Sequence, residues 1–140
     1  MAEWELALPR LKAAYQAWHD SKGKSIDTWL ELCGERVDFR SLAAGQHGVP
    51  WTRRRTSREE VRGYLSELTA GFAMEHYTIE RFVCEDDTIV MIGTTAWRNI
   101  KTGKRVETPK VDVWRFRNGK AVSFFEFYDT AAVAASAQPG

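Results

Sequence analysis

The stretch from Val106 to Asp129, VETPKVDVWRFRNGKAVSFFEFYD, leaves the chain few structures to adopt. Apolar residues alternate with polar ones on either side of Gly119, which takes positive φ without a Cβ clash. Alternation on both sides of such a residue predicts a hairpin of two long strands. Asp112 and Glu126 lie within it among aromatic residues. Apolar walls with a few ionisable groups are the usual lining of a small-molecule pocket.

Upstream, Leu8, Leu11, Tyr15 and Trp18 fall at helical spacing, with Pro9 near the helix start and Gly23 after its end. A short second helix is predicted after Ser25 as N-cap, with Ile26, Trp29, Leu30 and Cys33 on one side and Gly34 closing it. Residues 37 to 42 read as a short strand. From Ala43 to Thr56 the glycines, Pro50 and the run Arg53, Arg54, Arg55 predict an irregular, solvated loop. Ser57 and Glu60 form a capping box for a third helix that carries Val61, Tyr64, Leu65, Leu68 and Phe72. After Gly71 the period becomes alternating, which predicts strands over about 75–84 and 88–99 ahead of the hairpin. This order implies one α+β domain over residues 1–140, with three helices covering one face of a curved antiparallel sheet and a frayed tail over about 131–140.

Register decides which side chains meet. Pairing Lys101 with Lys104 sets Thr95 opposite Lys110, Gly93 opposite Asp112 and Met91 opposite Trp114. A three-residue loop with Gly119 in a bulge pairs Phe116 with Lys120, Asp112 with Phe124 and Lys110 with Glu126. One face then gathers Met91, Thr95, Trp97, Lys110, Asp112, Trp114, Phe116, Phe124, Glu126 and Tyr128. The opposite face gathers Val90, Ile92, Val111, Val113, Phe125 and Phe127. A two-residue turn at Asn118 and Gly119 would instead send Glu126 to the other face, because a slip of one residue inverts every side chain.

With 20 Lys and Arg against 19 Asp and Glu, the chain carries no field that would gather nucleic acid or an anionic membrane. The start, MAEWELALPRLK, lacks the pattern of a signal peptide, so a soluble, cytoplasmic protein is expected. Cys33 and Cys84 lie in apolar segments without metal-ligand spacing, and buried free thiols are expected in place of a zinc site.

PKVDVWRFRNGKAV and KAAYQAWHDSKG resemble segments of the SnoaL-like and ketosteroid-isomerase-like branch of the NTF2-like superfamily, as does the order of elements along nearly the whole chain. The resemblance implies a cone-shaped α+β fold with Asp112 and Tyr15 facing one cavity. In ketosteroid isomerases a tyrosine and a neutral aspartic acid donate hydrogen bonds to an enolate oxygen. The proton-abstracting aspartate of those enzymes corresponds to a place near Ser41, with Asp38 the nearest acid. The Arg-x-Asp pattern of the related limonene epoxide hydrolases corresponds to Gly93 and Thr95. Both departures argue against those two reactions.

The candidate catalytic residues are therefore Asp112, Glu126, Tyr15 and His76. Histidines near the place of His76 act as bases in dehydratases of the superfamily. Trp97, Trp114, Phe116, Phe124, Tyr128, Lys110 and Met91 are candidate substrate-binding residues. If Lys110 faces Glu126, a plain cross-strand ion pair is the alternative to a catalytic role. Crowding of Asp112 and Glu126 on one apolar face is expected to keep at least one proton on the pair and to raise the titration of Asp112. The expected function is acid–base catalysis without cofactor or metal on a small apolar oxygenated molecule, of isomerase, lyase or hydrolase type. The alternative is a non-catalytic ligand-binding or dimerisation module. A homodimer through the outer sheet face is expected, because monomers rarely leave such an apolar patch exposed.

Overall fold

The computed structural model describes residues Met1–Gly140. Four helices and six strands follow one another as α1 (Glu3–Asp20), α2 (Ile26–Leu32), β1 (Cys33–Ser41), β2 (Arg55–Ser57), α3 (Arg58–Gly71), β3 (Phe72–Glu85), β4 (Thr88–Asn99), β5 (Arg105–Arg117), β6 (Lys120–Phe127) and α4 (Thr130–Ser136), with a 3₁₀ turn at Pro50–Thr52 before β2. The strands form one sheet in the order β2-β1-β6-β5-β4-β3. β1 runs parallel to β6 and the other neighbours are antiparallel. One core, built from Leu11, Trp18, Trp29, Val61, Leu65, Trp114 and Phe116 among others, lies between the helices and one face of this sheet. No helix is long and apolar enough to cross a membrane.

Several boundaries differ from the sequence expectation. α1 begins at Glu3, five residues before the predicted start at Leu8, and Pro9 is inside it. Cys33 and Gly34 belong to β1, because Cys33 is extended and pairs with Ala121 of β6. Phe72 likewise opens β3, pairing with Asn99. Ser25 stands at the N-cap of α2 without making the capping bond, whereas Ser57 Oγ accepts from the Glu60 N–H at 3.2 Å and caps α3 as expected. Cys33 is buried, but Cys84, near the end of edge strand β3, is half-buried. Of the arginine run, Arg55 turns inward: it is 4% exposed and donates to the Trp51 and Glu60 carbonyls and to Glu67, each at 2.8 Å. The tail after Thr130 forms α4, whose first turn is capped by Asp129 Oδ1 accepting from Ala132 N–H at 3.0 Å.

Both hairpin registers differ from expectation, and both keep the predicted faces. Between β4 and β5 Arg98 pairs with Arg105, so Thr95 faces Thr108, Gly93 faces Lys110 and Met91 faces Asp112. Six residues, 99–104, separate the last paired positions where two were expected, and Asn99 Oδ1 accepts from the N–H groups of Lys101 and Thr102 and holds the chain open. An even slip moves partners along the strand without inverting a side chain. Between β5 and β6 the turn is a two-residue one, with both Asn118 (φ 51°) and Gly119 (φ 79°) in the left-handed region. That turn alone would expel Glu126 from the inner face. The shift from the Phe116–Ala121 pair to the Arg115–Ser123 pair leaves Val122 as an extra residue, and this bulge restores the parity. Asp112 therefore faces Glu126, and Trp114 faces Phe124.

Candidate active site

The concave face and the helices form a cavity that opens to solvent. Aromatic rings dominate its wall. Trp29 of α2 stacks on Trp114 of β5 at 5.5 Å between centroids, and Tyr15 of α1 meets Trp29 edge-on at 5.0 Å. Phe39 of β1 stacks on Phe124 of β6 at 4.4 Å. The chain has four tyrosines, and all of them, Tyr15, Tyr64, Tyr77 and Tyr128, line this cavity.

Into this apolar wall the sheet projects three ionisable groups. Lys110 Nζ lies 2.6 Å from Asp112 Oδ1 and 2.9 Å from Glu126 Oε1, and it donates to the Tyr77 hydroxyl at 2.8 Å. Two of its N–H donors are thereby engaged in hydrogen bonds, to Asp112 and Tyr77, and the contact with Glu126 is an ion pair. Lys110 and Asp112 share a face two residues apart on β5, and the Asp112–Glu126 pairing brings the β6 carboxylate within reach. Lys110, Asp112 and Glu126 are 7%, 1% and 9% exposed. Where the sequence allowed a plain cross-strand pair of Lys110 with Glu126, Lys110 is a buried bridge to two carboxylates.

The hydroxyls give this network a direction. Tyr15 donates to Asp112 Oδ2 at 2.6 Å and itself accepts from Trp114 Nε1–H at 2.8 Å. Tyr77 donates to the same oxygen at 2.8 Å while accepting from Lys110. Each phenol oxygen receives a bond from elsewhere and directs its own proton to Asp112. Asp112 is therefore an acceptor in this arrangement, not the donor that the isomerase comparison implies. Tyr64 of α3 donates to Glu126 Oε2. Burial disfavours the Lys110 ammonium, but the attraction of Asp112 and Glu126 outweighs it and holds the lysine above its ordinary titration range. Burial, reinforced by the nearby carboxylates, also holds Tyr15, Tyr64 and Tyr77 well above the usual phenol value, and Tyr128 at about 12. Burial alone dominates at Cys33, whose thiol lines the cavity and is pushed up to about 11.

Of the residues singled out in the sequence, Tyr15, Lys110, Asp112, Glu126, Trp97, Trp114, Phe124 and Tyr128 line the cavity together. Met91 and Phe116 are fully buried on the same sheet face but lie outside its lining. His76 is not brought to the cavity. Met74 pairs with Trp97 and His76 with Ala96, so Glu75 is an extra residue. This bulge turns His76 outward, where Nε2 lies 2.7 Å from Glu107 and Nδ1 3.0 Å from Thr78. The same bulge sends Tyr77 inward. Tyr77 escaped the sequence reading for that reason, and Tyr64 because its helix spacing marks it as core without revealing its hydroxyl partner.

Residues 11–124 match the family model of the SnoaL-like domain. The chain belongs to the SnoaL-like family. Its fold is also that of solved NTF2-like proteins. An NTF2-like protein of unknown function from Burkholderia pseudomallei superposes with a TM-score of 0.83 at 20% identity, covering 95% of this chain and 98% of the other. A structure from Jannaschia sp. that carries the name SnoaL-like polyketide cyclase gives 0.80 at 14% identity, covering 97% and 94%. A protein from Catenulispora acidiphila with a ketosteroid isomerase-like fold, in complex with trimethylamine, gives 0.75 at 17% identity, covering 94% and 93%. No curated protein matches the chain by sequence. In this SnoaL-like chain the ring of tyrosines around Lys110, Asp112 and Glu126 gives the cavity its polar chemistry.

Proposed function

We propose that the cavity binds a small, largely apolar molecule carrying an oxygen function and moves a proton on it, without a cofactor, in an isomerase-type or lyase-type reaction. The observation that carries this reading is the buried Lys110 bridge between Asp112 and Glu126 inside an aromatic cavity. Desolvating three charged groups costs several kcal/mol each, and a packed apolar core of equal volume would commonly be as stable. The cluster is more economically explained by work on a ligand.

Glu126 is the base in this reading. Ser41, at the place near which isomerases carry their aspartate, is the direct β1 partner of Glu126 across the parallel pair. The neighbouring strand thus delivers a carboxylate at the same level of the sheet. When Glu126 takes a proton from a carbon next to a carbonyl, the electron pair passes to the carbonyl oxygen. Glu126 becomes neutral, its hold on Lys110 weakens, and the freed N–H can turn to the new oxyanion. Return of the proton to another carbon isomerises the molecule, and loss of a neighbouring leaving group eliminates it. Tyr15 and Tyr77 hold Asp112, which keeps the lysine charged and placed. His76, outside the cavity, has no part in this scheme.

The test is exchange of carbon-bound hydrogen for deuterium, followed by NMR over a panel of cyclic ketones, phenols and terpenoids chosen by thermal shift. Exchange on a bound compound should fall by about 100-fold or more in Glu126→Gln while binding persists. Unchanged exchange in that variant would remove Glu126 from the role. Binding without exchange across the panel would favour the second reading, a non-catalytic binding module. That reading is supported by the engagement of Lys110 with Asp112, Glu126 and Tyr77 before any ligand arrives.

A homodimer through the outer sheet face and a cytoplasmic location complete the proposal. Phe125 and Phe127 stack there at 4.3 Å, Arg40 lies 4.2 Å over Phe125, and Phe127 is exposed. Val90, Ile92, Val111 and Val113 are half-buried beside them. Sedimentation at tens of micromolar should give a dimer and Phe127→Lys a monomer, whereas a monomeric native chain would refute the interface.

A further inference from the structure

Edge strand β3 has a strand neighbour, β4, on one side only, so N–H groups directed away from β4 need other acceptors. For Tyr77 a side chain supplies one: its N–H donates to His19 Nδ1 at 3.1 Å. The carbonyl of the same peptide unit, that of His76, accepts from Thr95 Oγ1 at 2.9 Å. Two side chains, one from α1 and one from β4, thus hold both ends of the unit that closes the bulge at Glu75 and turns Tyr77 inward. His19 is half-buried in the last turn of α1, four residues after Tyr15 and on the same helix face. This helix therefore reaches Asp112 by two routes. The Tyr15 hydroxyl donates to Asp112 Oδ2 at 2.6 Å, and His19 holds the backbone of Tyr77, whose hydroxyl donates to the same oxygen at 2.8 Å.

We propose that His19 is a positioning residue for the cavity: by taking the Tyr77 N–H it locks the bulge, and the locked bulge keeps the Tyr77 hydroxyl between Lys110 and Asp112. Its meaning for function rests on the reading above, in which Asp112 keeps Lys110 charged and placed for the proton transfer at Glu126. An N–H donor needs a lone pair to receive it, so Nδ1 of His19 is bare and the ring carries its hydrogen on Nε2. Without this acceptor the Tyr77 N–H is left unpaired, and the bulge loses one of its two clamps. A bulge that migrates along β3 inverts the parity of the residues it passes, and Tyr77 then leaves the inner face for the outer. Asp112 loses one of its two phenol donors and Lys110 loses an acceptor. Misplacement of groups this close to the chemistry costs about 10- to 100-fold in rate.

The first test uses the native, ligand-free protein. At neutral pH the ¹⁵N spectrum should show His19 with a bare Nδ1, coupled across the hydrogen bond to the Tyr77 amide; a hydrogen on Nδ1 would overturn the proposal without any variant. With tyrosine labelled by ¹³C at Cζ, the Tyr77 line is identified by its loss in Tyr77→Phe. In His19→Phe that line should move toward the position of a solvent-exposed tyrosine. His19→Asn sets Oδ1 the same number of bonds from Cα as Nδ1, and should keep the native line. Tyr128, bonded to Ser41 and Ala43 away from this network, should look the same in every form. A Tyr77 line that stays in His19→Phe, or moves equally in the Phe and Asn variants, would overturn the positioning role. Deuterium exchange on a bound ketone should fall about 10- to 100-fold in His19→Phe, and exchange unchanged beside a displaced Tyr77 would remove His19 from the reaction. Exchange absent from the native protein would count against Glu126 and leave the Tyr77 line to decide the role of His19, so the two readings fail separately.

Discussion

Lys110→Met should lose about 3–5 kcal/mol of folding stability, although the replacement is apolar and similar in length. Lys110 is 7% exposed and serves two carboxylates and one phenol. Removing it leaves Asp112 and Glu126, 1% and 9% exposed, facing each other across β5 and β6. The cost is that of uncompensated buried charge, much larger than the median of about 0–1 kcal/mol for an exposed pair. Urea denaturation at neutral pH measures it. The triple variant Lys110→Met, Asp112→Asn, Glu126→Gln should recover most of the loss, because it removes the charges together. A loss below about 1 kcal/mol in the single variant would mean that the lysine is solvated and screened, contrary to its burial.

The second large effect is an abrupt alkaline unfolding. Lys110 binds its proton more tightly folded than unfolded, and so do Tyr15, Tyr64, Tyr77 and Tyr128. For groups raised in this way, the stabilisation is complete below the unfolded values, roughly 10 for tyrosine and 10.4 for lysine, and is lost as pH rises toward the folded values. Each group inside its window contributes a slope of about 1.4 kcal/mol per pH unit, so the five together give roughly 5 kcal/mol per unit near pH 10.5 and more as the pH rises further. Against a total stability of about 5–15 kcal/mol, this is enough to unfold the protein within one to two pH units. Tyrosinate absorbance and circular dichroism should therefore change together, since all four tyrosines of the chain are in the cavity. Tyrosinate appearing well before the loss of secondary structure would show that the phenols titrate in the folded protein.

Much of this architecture is legible in the residues. The switch from helical to alternating spacing after Gly71, the capping of α3 by Ser57, and the placing of Asp112, Trp114, Phe124 and Glu126 on one face all follow from periodicity, which is a local property of the chain. The three-residue loop expected from sequence and the observed two-residue turn at Asn118 and Gly119 lead to the same inner face, because the bulge at Val122 restores the parity that the shorter turn inverts. Bulges have little signature in sequence, since they are fixed by how neighbouring strands twist and pack. The resemblance singles out His76 without setting its face, and one extra residue at Glu75 turns His76 outward and Tyr77 inward. Likewise, helix spacing marks Tyr64 as buried, but only the packing of α3 over β6 brings its hydroxyl to Glu126, 62 positions away. Sequence by itself determined the elements, the SnoaL-like resemblance and the two carboxylates. Tertiary structure alone decided that Lys110 stands between those carboxylates and that every tyrosine is turned toward them, because such long-range meetings depend on register and on loop lengths that no local pattern encodes.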